Sequence, residues 1–274
     1  MRRLLTLATL LGLGSSAAWA ETTYCTKMIG ALPYTVTTSG NYCLGQNRSL
    51  AATTGAAVIV NASFVMIDLN GFMLDGSGAG AGTQAIGISA TGRTNVTVRN
   101  GTIRGFLRGI SITGSPSQGH LIEDVHADGN TLAGVWVEGS GSIVRNNQVS
   151  GTGGTTTLAH TDTYGIRGLG AGYRVTGNDV TETLGVGTGS GKAILLDAAD
   201  GAVVEANRPS NATLAIGSTG ISLLAGDDIL VVGNSLATLD QGVVFGSATG
   251  KLRDNLSSGV TLPYSGGSDA GNNQ

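Results

Sequence analysis

In "AHTDTYGIRG", residues 159–168, a histidine, an aspartate, a tyrosine and an arginine follow one another at short spacing. His160 and Tyr164 carry exchangeable protons, Asp162 is an anion and Arg167 a permanent cation. Lys192 and Asp197 follow in "GKAILLD", while Ser111, Trp136 and Glu138 precede in "GISIT" and "AGVWVE". Gathered on one surface, such a set could neutralise an anionic ligand, hydrogen-bond its hydroxyls and transfer a proton. The elements that carry these residues must therefore be identified first.

The chain has 46 glycines among 274 residues, four prolines and only 12% charged side chains. No stretch sustains a helical period, and Val, Ile, Thr, Ser and Asn dominate between turns, which predicts many short strands. Apolar strands recur as "AAVIV", "AIGIS", "GISIT", "GVWVE", "GIRGL", "AILLD", "GISLL" and "GVVFG". Each is followed by a second strand: "VMIDLNG", "VTVRNG", "LIEDV", "IVRNN", "YRVTGN", "VVEAN", "LVVGN" and "KLRDN". The repeat of about 22 to 31 residues lies in the solenoid range. Leucine-rich repeats would need a fixed leucine and asparagine pattern, and propeller blades a longer period. The expected fold is all-β, a parallel β-helix of about eight coils, each burying its inner face against its neighbours.

Alternation assigns the faces. Val58, Ile86, Ile110, Val135, Ile166, Ile194, Ile221 and Val243 share one repeat position, with a second apolar column two residues later. Side chains two apart share a face, so both columns point inward. The position between them, Ile59, Gly87, Ser111, Trp136, Arg167, Leu195, Ser222 and Val244, points outward. A slip of one residue would bury Trp136 but expel Val135 and Val137 together. An outward indole on a rigid sheet suits either a sugar ring or a guanidinium stacked on it. Asn147, Asn178, Asn207, Asn234 and Asn255 align in successive coils and predict a hydrogen-bonded ladder with a structural role. Arg99, Glu123 and Arg145 alternate in sign and are expected to support register.

The N-terminal "MRRLLTLATLLGLGSSAAWA" has two arginines, an apolar run and a small-residue exit, the layout of a secretory signal peptide over residues 1–20. Its removal takes Arg2 and Arg3 away, so the net charge moves from −3 to −5. A mildly acidic chain with scattered arginines has no nucleic-acid footprint, and no later apolar run is long enough for a transmembrane helix. The expected destination is extracellular or periplasmic. Cys25 and Cys43, an even pair in an oxidising compartment, are expected to bridge. The expected organisation is a cap over 21–56, the β-helix over 57–250, and a last strand and tail over 251–274.

With "LPYTVTTSGNYCL", "VMIDLNGFML", "VTVRNGTIRGF" and "KLRDNLSSGVTLPYSGGSDAGNN", the chain resembles the right-handed parallel β-helix repeat proteins of the pectate-lyase-like superfamily, in a branch of secreted bacterial proteins. The resemblance covers most of the chain beyond residue 20. It implies a site on an outer groove, where one sheet meets loops inserted between coils. The longest insertion, residues 150–165, brings His160, Asp162 and Tyr164 toward Trp136, Glu138 and Arg167, with Lys192 and Asp197 one coil on. The lyases and epimerases of this group act on acidic polysaccharides. They need a neutraliser for the uronate carboxylate, a base for the C5 proton and a donor for the leaving oxygen. Carried onto this chain, Arg167 or Lys192 would neutralise, and His160 or Tyr164 would serve as base or acid. Ser111, Trp136, Glu138, Asp162 and Asp197 would contact substrate. Calcium can neutralise in this group. The aspartate cluster of its calcium-dependent pectate lyases is not recognisable here, nor is the Asp-Pro-His segment of alginate epimerases, so no cofactor is expected.

Two other clusters weigh less. "GHLIEDVHADGN" offers His120, Glu123, Asp124, His126 and Asp128 as metal ligands by type, but adjacent carboxylates do not share a flat face. "AGDDIL" is similar to the paired-aspartate segment of polygalacturonases, yet the companion segments are missing, and Asp227 and Asp228 are read as a turn. The expected function is binding, with cleavage or epimerisation as its extension, of an extended acidic polysaccharide by a monomer. The alternatives are a non-enzymatic surface or adhesive solenoid, and a periplasmic accessory protein like the β-helix maturation factor of a copper enzyme. The last should show a metal-binding cluster, which three histidines without a methionine-rich run do not supply.

Overall fold

Glycine and asparagine turns break the chain into strands too short to bury a core alone, so each coil depends on the next. The computed structural model describes residues 25–274; the segment read as a signal peptide lies outside them. It is a parallel β-solenoid of about nine turns with almost no helix, one short 3-10 turn at Ser77–Ala79 apart. Three stacks of strands run along it. The first contains Ala56–Val60, Ile86–Thr91, Arg108–Thr113, Ala133–Glu138, Thr163–Leu169, Gly191–Asp197 and Thr219–Leu223, every neighbouring pair parallel. The second contains Ile143–Arg145, Arg174–Thr176, Val203–Glu205 and their counterparts, and the third Gln148–Gly153, Asp179–Leu184 and Arg208–Ser210.

The inward column is Val58, Ile88, Ile110, Val135, Ile166, Ile194, Ile221 and Val243, each with 0% exposure. One coil departs from the sequence expectation. Val58 pairs with Ile88 and Ile59 with Ser89, so Ser89 rather than Gly87 faces outward, and Ile86 is only half-buried. A two-residue shift preserves the inward and outward parity, so alternation alone cannot distinguish the registers.

From Asn146 onward, each second-stack strand turns into the third on a left-handed residue followed by asparagine. Ala206 (φ 54°) precedes Asn207, Asn146 (φ 54°) precedes Asn147 and Asp254 (φ 56°) precedes Asn255. The asparagines form a continuous ladder. Asn147 N–H and Nδ2 donate to Asn178 Oδ1 at 3.0 and 2.9 Å, and Asn178 repeats both bonds to Asn207 at 3.0 and 2.9 Å. Each Nδ2 also donates to the carbonyl three residues before the preceding coil's ladder position; Asn178 reaches Val144 O at 3.0 Å. Beside it Glu123 pairs with Arg145 at 2.6 Å, and Arg99 pairs with Asp68 at 3.0 Å. At the N-terminal end Cys25 and Cys43 are disulfide-bonded with Cα atoms 5.7 Å apart. Closing a loop of this length contributes about 3 kcal/mol in the chain-entropy model.

Glycines in the first stack set the geometry of its outer face. A Cβ on Gly109 would lie 2.7 Å from Gly134 O and 2.9 Å from Asn130 Nδ2; one on Gly165 would lie 2.3 Å from Val180 Cγ1. The missing side chains let the first stack press against its neighbours, and two successive residues, Gly165 and Ile166, are buried. Alternation is reset there, so Tyr164 and Arg167 both reach the outer face although three residues apart. Arg108 and Ser111 are related in the same way around Gly109 and Ile110.

Candidate functional site

Trp136 stands on the outer face of the first stack, directly between Ser111 of the preceding coil and Arg167 of the following one. It is half-buried because its neighbours cover it. The Arg108 guanidinium carbon lies 3.8 Å from the ring centre and that of Arg167 3.9 Å, one from each adjacent coil. Tyr164 meets the indole edge-on at 5.6 Å, and Arg167 also lies 5.0 Å from the Tyr164 ring. The indole N–H donates to Glu138 Oε1 at 3.2 Å, while Glu138 Oε2 accepts the Gly114 N–H at 3.1 Å. The ring is therefore fixed in orientation and packed with cations rather than bare.

Neither Arg108 nor Arg167 forms an ion pair among the described residues. The Nε atoms of both are buried without a hydrogen-bond partner. Burial, and then the Arg167 charge beside it, pull the Arg108 guanidinium below its usual value, against the opposing effect of Glu138. Two like charges share one aromatic ring and lack a matched counter-charge.

One coil on, Lys192 is paired with Asp162, whose Oδ1 accepts the Ser190 N–H at 2.8 Å. Burial raises the Asp162 carboxyl, but the Lys192 and Ser190 hydrogen bonds and the Lys192 charge together hold it below the usual range. His160, Thr161, Asp162, Tyr164, Thr188 and Gly189 line an open hollow of about 430 Å³ beside this pair. His160 Nδ1 accepts the Thr188 N–H at 3.1 Å. Burial raises the Tyr164 phenol above its ordinary value, with Arg167 opposing, so it is fully protonated at neutral pH.

Of the expected site residues, Trp136, Glu138, Tyr164 and Arg167 come together, and Tyr164 also joins His160, Asp162 and Lys192 at the hollow. Ser111 is 3% exposed and lies under Arg108, 3.4 Å from Nη1, so it orients that guanidinium instead of facing a ligand. Lys192 is already neutralised by Asp162. Asp197, two coils from Trp136, caps the Ala198 N–H at 2.9 Å. Arg108 was not among the expected residues, because strict alternation from Ser111 points it inward. The signal that finds it is the glycine column, where Gly109, Gly134 and Gly165 mark a reset in each strand.

The family model described as "Periplasmic copper-binding protein (NosD)" matches residues 46–237. The chain belongs to the NosD family. A search of curated proteins gives no match. Among solved structures, pectate lyase Pel9A is 14% identical with a TM-score of 0.55, covering 82% of this chain and 69% of that one. The Dettilon tailspike protein is 14% identical with a TM-score of 0.45, over 89% of this chain and 60% of that one. The A-module of the Azotobacter vinelandii mannuronan C-5 epimerase AlgE6 is 15% identical with a TM-score of 0.42, over 85% and 83%. At such identities the first of these speaks for the fold, in which the NosD-family chain shares a parallel β-solenoid with a pectate lyase.

The family description names copper, and the donors of this NosD-family chain do not fit it. Among the described residues no three of His, Cys, Asp or Glu gather as metal ligands. Both cysteines are consumed by the disulfide. His120 Nδ1 accepts the Val96 N–H at 3.3 Å. Ser117 gives its one hydroxyl proton to Glu138 O at 2.6 Å, so His120 Nε2 donates to Ser117 at 2.9 Å. Both ring nitrogens are occupied, and burial pushes this histidine down to about 4. His126 contacts Ser150 on the third stack and His160 sits in the loop before Thr163–Leu169. Among the described residues no helix is long and apolar enough to cross a membrane.

Proposed function

We propose that this chain is a periplasmic or secreted β-solenoid that binds an extended acidic polysaccharide across the outer face of its first stack. One observation carries the reading: Arg108 and Arg167 reach the same surface ring, and among the described residues neither forms an ion pair with a carboxylate. A flat face crossing successive coils suits an extended polymer, and unpaired guanidiniums suit its acidic groups. The fold shared with a pectate lyase, the disulfide and the family's periplasmic description support the same reading.

Turnover would draw on the adjoining hollow. Tyr164, held as a phenol by burial, is suited to donate a proton to a leaving oxygen; His160 would act as base for a C5 proton through Nδ1, and only on releasing the Thr188 N–H that this nitrogen accepts. The test is a panel of purified acidic and neutral polysaccharides, scored for retention on the protein and for new unsaturated uronate absorbance. Binding of acidic polymers with the absorbance unchanged would assign a binding protein; no binding across the panel would refute the reading. Copper delivery is disfavoured by the donor set, and protein dialysed against copper should retain less than one equivalent.

A further inference from the structure

We infer that Arg108 and Arg167 each take one carboxylate or sulfate group, on opposite sides of Trp136, and that Trp136 is the spacer holding this pair apart rather than a platform for a sugar ring. The inference rests on the polysaccharide reading and narrows it to the charged substituent that the site recognises. The guanidinium carbons lie 3.8 and 3.9 Å from one ring centre with the indole between them, so each can spend its outer N–H groups on an anionic group of its own. Without the ring, two cations of like sign would separate toward solvent. The ring's negative face attracts both and pays part of that repulsion.

Three further contacts fix the device. The Glu138 carboxylate locks the indole through Nε1, so the spacer cannot rotate away. Ser111, buried beneath, meets Arg108 Nη1 and limits where that fork points. Tyr164 closes the indole edge at 5.6 Å and shares Arg167. A sugar ring could stack on Trp136 only by displacing a guanidinium from it. An anion instead relieves the mutual repulsion of the two arginines and finds N–H donors in a fork matched to carboxylate and sulfate geometry. Lys192, which the family resemblance offers as the alternative neutraliser, is withheld by Asp162, so the recognised groups are met by arginine alone.

The experiment follows tryptophan emission of the purified protein titrated with sodium galacturonate, sodium sulfate and glucose, and measures binding to polygalacturonate, dextran sulfate and dextran. Emission should respond to galacturonate or sulfate and not to glucose, and whichever anion acts identifies the source. Arg108→Ala and Arg167→Ala should each weaken binding of the acidic polymers about tenfold or more, the loss expected when one of two guanidiniums gripping a polyanion is removed. Trp136→Phe keeps an aromatic ring but frees it from Glu138, so polymer binding should weaken, though less than in either arginine variant. Response to small anions with no polymer bound would uphold the clamp while refuting the polysaccharide reading. Polymer binding that is equal for dextran and indifferent to Arg108→Ala would refute the clamp while leaving that reading intact. Thermal melts of each variant separate loss of the anion site from loss of fold.

Discussion

The asparagine ladder and the Trp136 face are built on the same plan, one side chain per coil at a fixed place, yet they differ in every physical respect. In the ladder the residue type repeats, from Asn147 through Asn255, the side chains are nearly unexposed, and each amide is bonded to the next. On the face the type changes with every coil, through Ser111, Trp136, Arg167 and Leu195, and two buried guanidinium nitrogens have no partner. A stack of identical, satisfied groups lowers the free energy of the fold. A stack of different groups with unmet charge does little for folding and leaves interaction capacity for something outside the chain.

The largest expected effect lies in the ladder. Asn178→Leu removes the acceptor for two Asn147 donors and the bonds to Val144 and Asn207 in one change. Stranding buried groups costs about 1 to 3 kcal/mol each, so about 4 kcal/mol or more should be lost in urea unfolding. Binding per folded molecule should stay at the parent value. A variant as stable as the parent would break the contrast.

His120 gives the next largest effect, because it sits between the two regions. Its partner Ser117 bonds to Glu138, which in turn holds Trp136. The unfolded chain takes up this proton near pH 6.5, whereas the folded chain resists until about pH 4. As pH falls through that window the unfolded state binds more protons, so stability present above pH 6.5 is lost, by about 3 kcal/mol at its lower end. Chemical denaturation at a series of pH values should show this slope, and His120→Gln should flatten it. A slope that survives the substitution would assign it to other groups.

The smallest effect is expected on the face itself. Trp136→Ala should cost only about 1 kcal/mol, because the half-buried ring contributes cation–π and edge contacts rather than core packing. Its binding to polygalacturonate or dextran sulfate should fall far more than its stability. Global unfolding would instead place Trp136 with the core.

Much of the architecture is legible in residue order. The inward column from Val58 to Val243, the outward place of Trp136, the ladder and the Cys25–Cys43 bond all follow from type and local spacing. Ser89 was missed for Gly87 because a shift of two leaves the parity intact. Arg108 was missed because a strand is not a strict alternator where a glycine lets the backbone approach its neighbour.

What the sequence determined by itself is what depends on the period of a strand and the polarity of each position: a coiled parallel sheet, its inner face and its repeated turns. What only the tertiary structure decided is which side chains of different coils meet. That depends on loop lengths between coils, on the bends at Gly109 and Gly165, and on side-chain reach, as when Asp162 claims Lys192 and leaves Arg108 and Arg167 unpaired beside Trp136. Local order sets the face of each residue, but neighbours across coils are set by the packing of the whole stack.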